Sequence, residues 1–160
     1  MRQDARANAA ISILDNFLVG QNLNSVLSRW AKNNRYAGSS DRESIRNIVF
    51  DVLRVKKTFA SVLEKEKQAI NGRALVFLYS VFYSLQLDDI FTGQKYGPGK
   101  LNIFEREFFK NAKENNNENF AVINNVPDFL VAEFKRSLGS KFENAMRLLE
   151  RRAPVSIRIN

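Results

Sequence analysis

Residues 74–85 constrain this chain more than any other stretch. After an Asn71-Gly72 break, Ala74, Leu75, Phe77, Leu78, Val81, Phe82 and Leu85 leave almost no polar side when wound at 3.6 residues per turn. A helix that is apolar around most of its circumference is stable only with other elements packed on several sides. The stretch therefore predicts a central helix, and the remaining sequence should supply helices to surround it.

It does so with amphipathic stripes. Ala7, Ala10, Ile11, Leu14, Phe17 and Leu18 form the first, with Asp4 near its start and Gly20 placed to close it. Leu23, Val26, Leu27 and Trp30 form the second, capped by Asn22 or Asn24 and ending near Lys32, with a loop over Asn33 to Ser39. Ser40 and Glu43 spell a capping box, which predicts a third helix from Asp41 along Ile45, Ile48, Val49, Val52 and Leu53. That pattern persists through Phe59, Val62 and Leu63, either as one long helix or with a bend near Lys56 and Lys57. Gln86 to Lys100 reads as a loop, because Gly93, Gly97, Pro98 and Gly99 interrupt any helical pattern.

Asn102 with Glu105 can cap a further helix bearing Phe104, Phe108, Phe109 and Ala112, and Lys113 to Asn125 returns to a loop. Pro127 suits a first helical position before Phe129, Leu130, Phe134 and Leu138. Gly139 can end that helix, and a second box, Ser140 to Glu143, starts the last one with Phe142, Ala145, Met146 and Leu149. Val155, Ile157 and Ile159 then alternate with polar residues, a strand pattern with no local partner. The expectation is an all-α bundle of about seven helices over residues 1–153, with residues 154–160 starting a linker or strand into a further, absent domain. Thirteen phenylalanines against one tryptophan and four tyrosines should fill its core.

No cysteine and no histidine occur. Thiolate nucleophiles, disulfides, Cys-based metal sites and a histidine general base are thereby excluded, and no serine or threonine has a histidine to activate it. Asp88-Asp89 has no further carboxylate nearby and reads as a solvated helix terminus. The loop Thr92 to Lys100 lacks the spacing of a phosphate-binding P-loop and reads as a surface excursion that packs Phe91 onto the bundle. No apolar run is long enough for a membrane span, so a cytoplasmic protein without membrane partners is expected.

Charge points elsewhere. The net charge is +8, of which residues 1–80 carry 13 Lys/Arg against 7 Asp/Glu. A basic surface suits a polyanion. The candidate contacts are Arg2, Arg6, Arg35, Arg42, Arg46, Arg54, Lys56 and Lys57, joined by Arg29 and Lys32. Arg42 and Arg46 are four apart and so share a helix face, and a guanidinium fork matches phosphate oxygens. Tyr36 can stack on a base. The alternative is a salt-bridged face in which Asp41, Glu43 and Asp51 neutralise the arginines.

The order Arg6-x-x-Ala9-Ala10-x-x-x-Leu14, then Trp30 to Arg35, Tyr36-Ala37-Gly38-Ser39-Ser40-Asp41-Arg42 and Ile48-Val49-Phe50-Asp51-Val52-Leu53-Arg54, resembles the NusB-like N-terminal domain of RsmB/Sun (Fmu)-type ribosomal RNA methyltransferases, the alphaproteobacterial branch most closely. Val126-Pro127-Asp128-Phe129-Leu130, Leu138-Gly139 and Arg152 to Asn160 resemble that family's junction into its catalytic half. The resemblance implies a NusB-like helical domain that helps engage 16S ribosomal RNA. In the parent protein it would be fused to an S-adenosylmethionine-dependent domain that methylates a cytosine at C5. That chemistry needs cysteines and a methyl-donor site, so this chain by itself is expected to be non-catalytic and to hold no cofactor. Its expected partners are 16S ribosomal RNA and its own C-terminal methyltransferase domain, with no DNA. A second expectation is a protein-interaction module, docking the catalytic half or acting like an antitermination NusB factor, with Phe91, Tyr96 and Phe120 as its contacts.

Overall fold

The computed structural model describes residues 1–114, 125–150 and 153. Among these the protein is all-α, with no strand. The helices are α1 (Gln3–Leu18), α2 (Leu23–Asn33), α3 (Ser39–Arg54), α4 (Lys56–Lys65), α5 (Gly72–Phe82), the single turn α6 (Leu87–Ile90), α7 (Ile103–Glu114), α8 (Asp128–Leu138) and α9 (Phe142–Leu149), with a 3-10 turn at Gly139–Lys141. The terminal strand expected after Pro154, and Phe120, lie outside the described residues.

The apolar stretch beginning at Ala74 lies in α5, which is central as its composition demands. Gly72, Leu75, Val76, Phe77, Leu78, Ser80 and Val81 are all buried. Phe77 meets Phe91 and Phe108 edge-on at centroid distances of 6.1 and 5.9 Å, the arrangement that ring quadrupoles favour. Helix α1 lies against α5 and α3 through Ala7, Ala10, Ile13 and Leu14. The two helices approach so closely at Gly72 that a Cβ there would stand 2.3 Å from the Ile11 carbonyl oxygen, and the Gly72 N–H donates to Asp15 Oδ1 at 2.6 Å. Val55 interrupts the long apolar pattern between α3 and α4, its N–H turning to the Val52 carbonyl at 3.3 Å, so the bend falls one residue before Lys56. A second, smaller core of Val126, Phe142 and Met146 holds the α8–α9 hairpin.

Caps explain where several helices start, though not always by the expected residues. Asn22 and Asn71 accept the N–H of Ser25 and Ala74 at 3.1 and 2.9 Å. Asn102 and Glu105 form a complete capping box: Asn102 Oδ1 accepts the Glu105 N–H and Glu105 Oε2 accepts the Asn102 N–H, both at 2.8 Å. The Ser40–Glu43 box does not form. Helix α3 begins at Ser39 behind Gly38, which places Asp41, rather than Glu43, in the N3 position, and no side chain caps it. Asp41 instead accepts from the Met1 ammonium and from Arg6 Nε, each at 2.9 Å, anchoring the start of α3 to α1. The Ser140–Glu143 box also fails, because the chain passes through the 3-10 turn and reaches α9 with Lys141 in a helical conformation, whereas a capping side chain needs an extended residue. Pro127 stands one place before the helix rather than in its first position, and Gly139 ends α8 at φ +50.

Candidate nucleic-acid interface

The eight basic residues picked from sequence are spread from the start of α1 through the α2–α3 loop and α3 to α4. Arg6 and the Met1 ammonium meet Asp41 in the first turn of α3, so α1 and α3 start at the same end of the molecule. Lys56 Nζ lies 5.5 Å from the Phe17 ring near the other end of α1. At 1.5 Å per residue, Arg42 and Arg54 are about 18 Å apart along α3. The cations are therefore spread along the molecule, with Arg46 midway along α3.

At the far end they are largely committed. Arg54 bonds Asp51 at 2.5 Å, and Lys57 bonds both Asp128 and the Val126 carbonyl, latching the hairpin to α4. Thr58 and Asn125 add a second polar link at the same place. At the near end, Arg6 is paired with Asp41, whose carboxyl is held below its ordinary range first by the N-terminal ammonium and then by Arg6. Arg2 is paired with Asp4 yet keeps its side chain 61% exposed. Arg35 and Arg42 are exposed and make no ion pair among the described residues. Arg46 is exposed with its guanidinium 5.5 Å from the Phe50 ring.

The salt-bridged alternative is thus realised in part. Asp51 neutralises Arg54, and Asp41 pairs with Arg6.

A cleft of about 620 Å³ opens at this near end, between the exposed face of α1, the α2–α3 loop and the loop following Phe91. Its polar and aromatic walls are Trp30, Tyr36 and Tyr96 with Asn8, Ser12 and Asn34, and its cations are Arg2 and Lys95. No carboxylate lines it. Sequence reasoning singled out Arg2 and Tyr36, took Trp30 for core, and passed over Lys95, Asn8 and Ser12. The available signal was an aromatic beside a lysine at the tip of a glycine-bounded loop, Lys95-Tyr96.

Asp4 assembles this site from below. Its carboxylate accepts from Arg2 Nε and Nη2, from the Ala5 N–H at 2.8 Å and from Thr92 Oγ1 at 2.8 Å. These bonds, the Arg2 guanidinium foremost, lower its pKa to about 2 against the opposing effect of burial. Thr92 in turn accepts the Gln94 N–H, and Gly93 N–H to Pro98 O and Gly97 N–H to Gln94 O close the loop. Gly97 has to be glycine, since a Cβ would meet Thr92 Oγ1 at 2.7 Å and Asp4 Oδ2 at 2.8 Å. Arg73 fastens the loop's other side, donating to the Gly99 and Lys100 carbonyls and to buried Glu105 while lying 5.0 Å from the Phe91 ring. Phe91 is buried, as expected of a loop packed onto the bundle, and is therefore no surface contact for a partner.

Among the described residues no group of three or more metal-ligating side chains gathers, and no helix is long and apolar enough to cross a membrane. Comparison with protein-family models, curated proteins and solved structures finds no match.

Proposed function

We propose that this chain is a non-catalytic RNA-binding and positioning domain, of the kind that serves 16S ribosomal RNA cytosine-5 methylation in the NusB-like N-terminal domains it resembles in sequence. The observation that supports this reading is the near end of the α1–α3 pair. Arg35, between the lining residues Asn34 and Tyr36 in the chain, and Arg42, near the start of α3, are exposed, and the cleft itself presents Arg2 and Lys95 with no carboxylate in its lining. Cations so exposed attract a phosphate backbone. Arg54 and Lys57, already bonded to carboxylates, contribute less to it than their sequence positions promised.

The test is a salt titration of a labelled 16S ribosomal RNA fragment. Log affinity should fall linearly with log salt, by about 0.7 per phosphate contact on single-stranded RNA. Replacing Arg35 and Arg42 together by alanine should flatten the slope by about 1.4. Affinity weaker than about 0.1 mM at low salt, or a double variant identical to the parent, rejects the reading.

A protein-interaction role finds one specific support, on the hairpin rather than at the cleft. Phe129, Leu148 and Leu149 expose 78%, 59% and 63% of their surface. Absence of RNA binding at low salt would turn attention to these residues.

A further inference from the structure

We infer that the cleft is a base pocket: it takes one unpaired nucleobase of a single-stranded RNA onto the rings of Tyr36 and Tyr96, with the adjoining phosphate at Arg2 and Lys95. This rests on the RNA-binding reading and adds to it a choice of strand state and the residues that make the choice.

The first argument is exposure. Tyr36 and Tyr96 leave 72% and 68% of their surface to solvent, in a chain whose large aromatics otherwise mostly fill the core or pack against it. Each is a flat apolar ring with a polar tip, suited to a partner that is itself a flat ring with polar edges.

The second is preorganisation. Tyr36 Oη donates to Asn34 Oδ1 at 3.0 Å, and Asn34 Nδ2 donates to the Trp30 carbonyl at 2.8 Å, so three lining residues form one connected unit. On the opposite wall the loop carrying Lys95 and Tyr96 is pinned through Thr92 to Asp4, the same carboxylate that orients Arg2. Both walls are therefore set before a ligand arrives, which reduces the ordering cost of binding.

The third is chemical complementarity. The volume, about 620 Å³, falls in the range of small-molecule sites. Asn8 and Ser12 lie one turn apart on the exposed side of α1 and offer an amide and a hydroxyl to a base edge. Lys95 Nζ stands 5.4 Å from the Tyr96 ring, a cation beside a stacking platform. Bases in a duplex keep their faces inside the helical stack and cannot reach the rings, so the pocket selects unpaired nucleotides.

The single tryptophan of the chain lines the pocket and supplies the readout. Adenosine monophosphate should quench Trp30 fluorescence saturably, whereas ribose 5-phosphate, which has the phosphate and no base, should not. In parallel, a ten-nucleotide single-stranded RNA and a blunt-ended RNA duplex would be titrated against the protein and against Tyr36→Ala, Tyr96→Ala and the two Tyr→Phe variants. Each alanine should weaken single-strand binding by about 5-fold to 100-fold, the phenylalanines should retain most of it, and duplex binding should change little. RNA binding that is indifferent to both alanine variants, or equal responses to the nucleotide and to ribose 5-phosphate, overturns the base pocket and leaves the RNA-binding reading standing. Failure of every RNA to bind at low salt overturns both.

Discussion

Replacing Asp4 by asparagine removes one charge from a buried, multiply hydrogen-bonded carboxylate and should leave a signature in pH. The carboxylate is 1% exposed and receives four donors, two of them from the Arg2 guanidinium. Its pKa stands at about 2 against an ordinary 3.8, a difference whose full free-energy equivalent is about 2 kcal/mol. Arg2 is 61% exposed, so water screens part of the attraction, and about 1–2 kcal/mol is the expected loss of stability in Asp4→Asn at pH 7. The sign follows from the depressed pKa. The stabilisation is complete above the unfolded value near 4 and disappears as pH falls toward about 2, because there the wild-type carboxyl takes up a proton as well. Urea unfolding of both proteins, followed by far-ultraviolet circular dichroism at pH 7 and at about pH 2.5, would measure the gap. It should be widest at pH 7 and mostly closed at the acid end. A gap of equal size at both, or one that widens in acid, refutes the assignment of Asp4 as a buried, ionised anchor.

Two further outcomes follow from the caps and the helix crossing. Asn102→Ala should cost about 1 kcal/mol, because it breaks a formed capping box, whereas Ser40→Ala, in a box of the same spacing that does not form, should change stability by less than about 0.5 kcal/mol; thermal melts separate the two by about 2–4 °C. Gly72→Ala should destabilise by about 1–3 kcal/mol, since the new methyl would press on the Ile11 carbonyl from 2.3 Å, while Gly99→Ala, whose nearest neighbour is Arg73 at 3.7 Å, should be close to neutral in the same denaturation assay.

The contrast between the two boxes shows what could be read from sequence. The order S-x-x-E or N-x-x-E declares that a reciprocal cap is available, and periodicity declares which side of the helix turns inward. Those local statements placed the central helix over Ala74 to Leu85 after a break at Asn71-Gly72; α5 runs from Gly72 to Phe82, so Leu85 lies beyond its end. What they omit is competition from distant groups. At α3 the Met1 ammonium and Arg6 claim Asp41, and the helix starts two residues earlier than its spelling suggests. The same limit governs the interface. Arg54 has its carboxylate three residues away, a pairing the sequence displays, but the bond of Lys57 to Asp128 depends on where the hairpin docks. The cleft lay further out of reach, because Trp30, Tyr36 and Tyr96 become neighbours only after Asp4 has caught Thr92 from the opposite half of the chain.

The small core of the α8–α9 hairpin has a consequence for how the protein comes apart. Because Val126, Phe142 and Met146 form a cluster distinct from the main one, the hairpin can open as a cooperative unit at a free energy below that of global unfolding. Its release would expose little of the apolar interior around α5 and would leave Trp30, at the other end of α1, in unchanged surroundings. Amide hydrogen exchange should then divide the helices into two classes of protection, with α8 and α9 exchanging through the cheaper event. A tryptophan signal would miss that event, and a helix-content signal would record it.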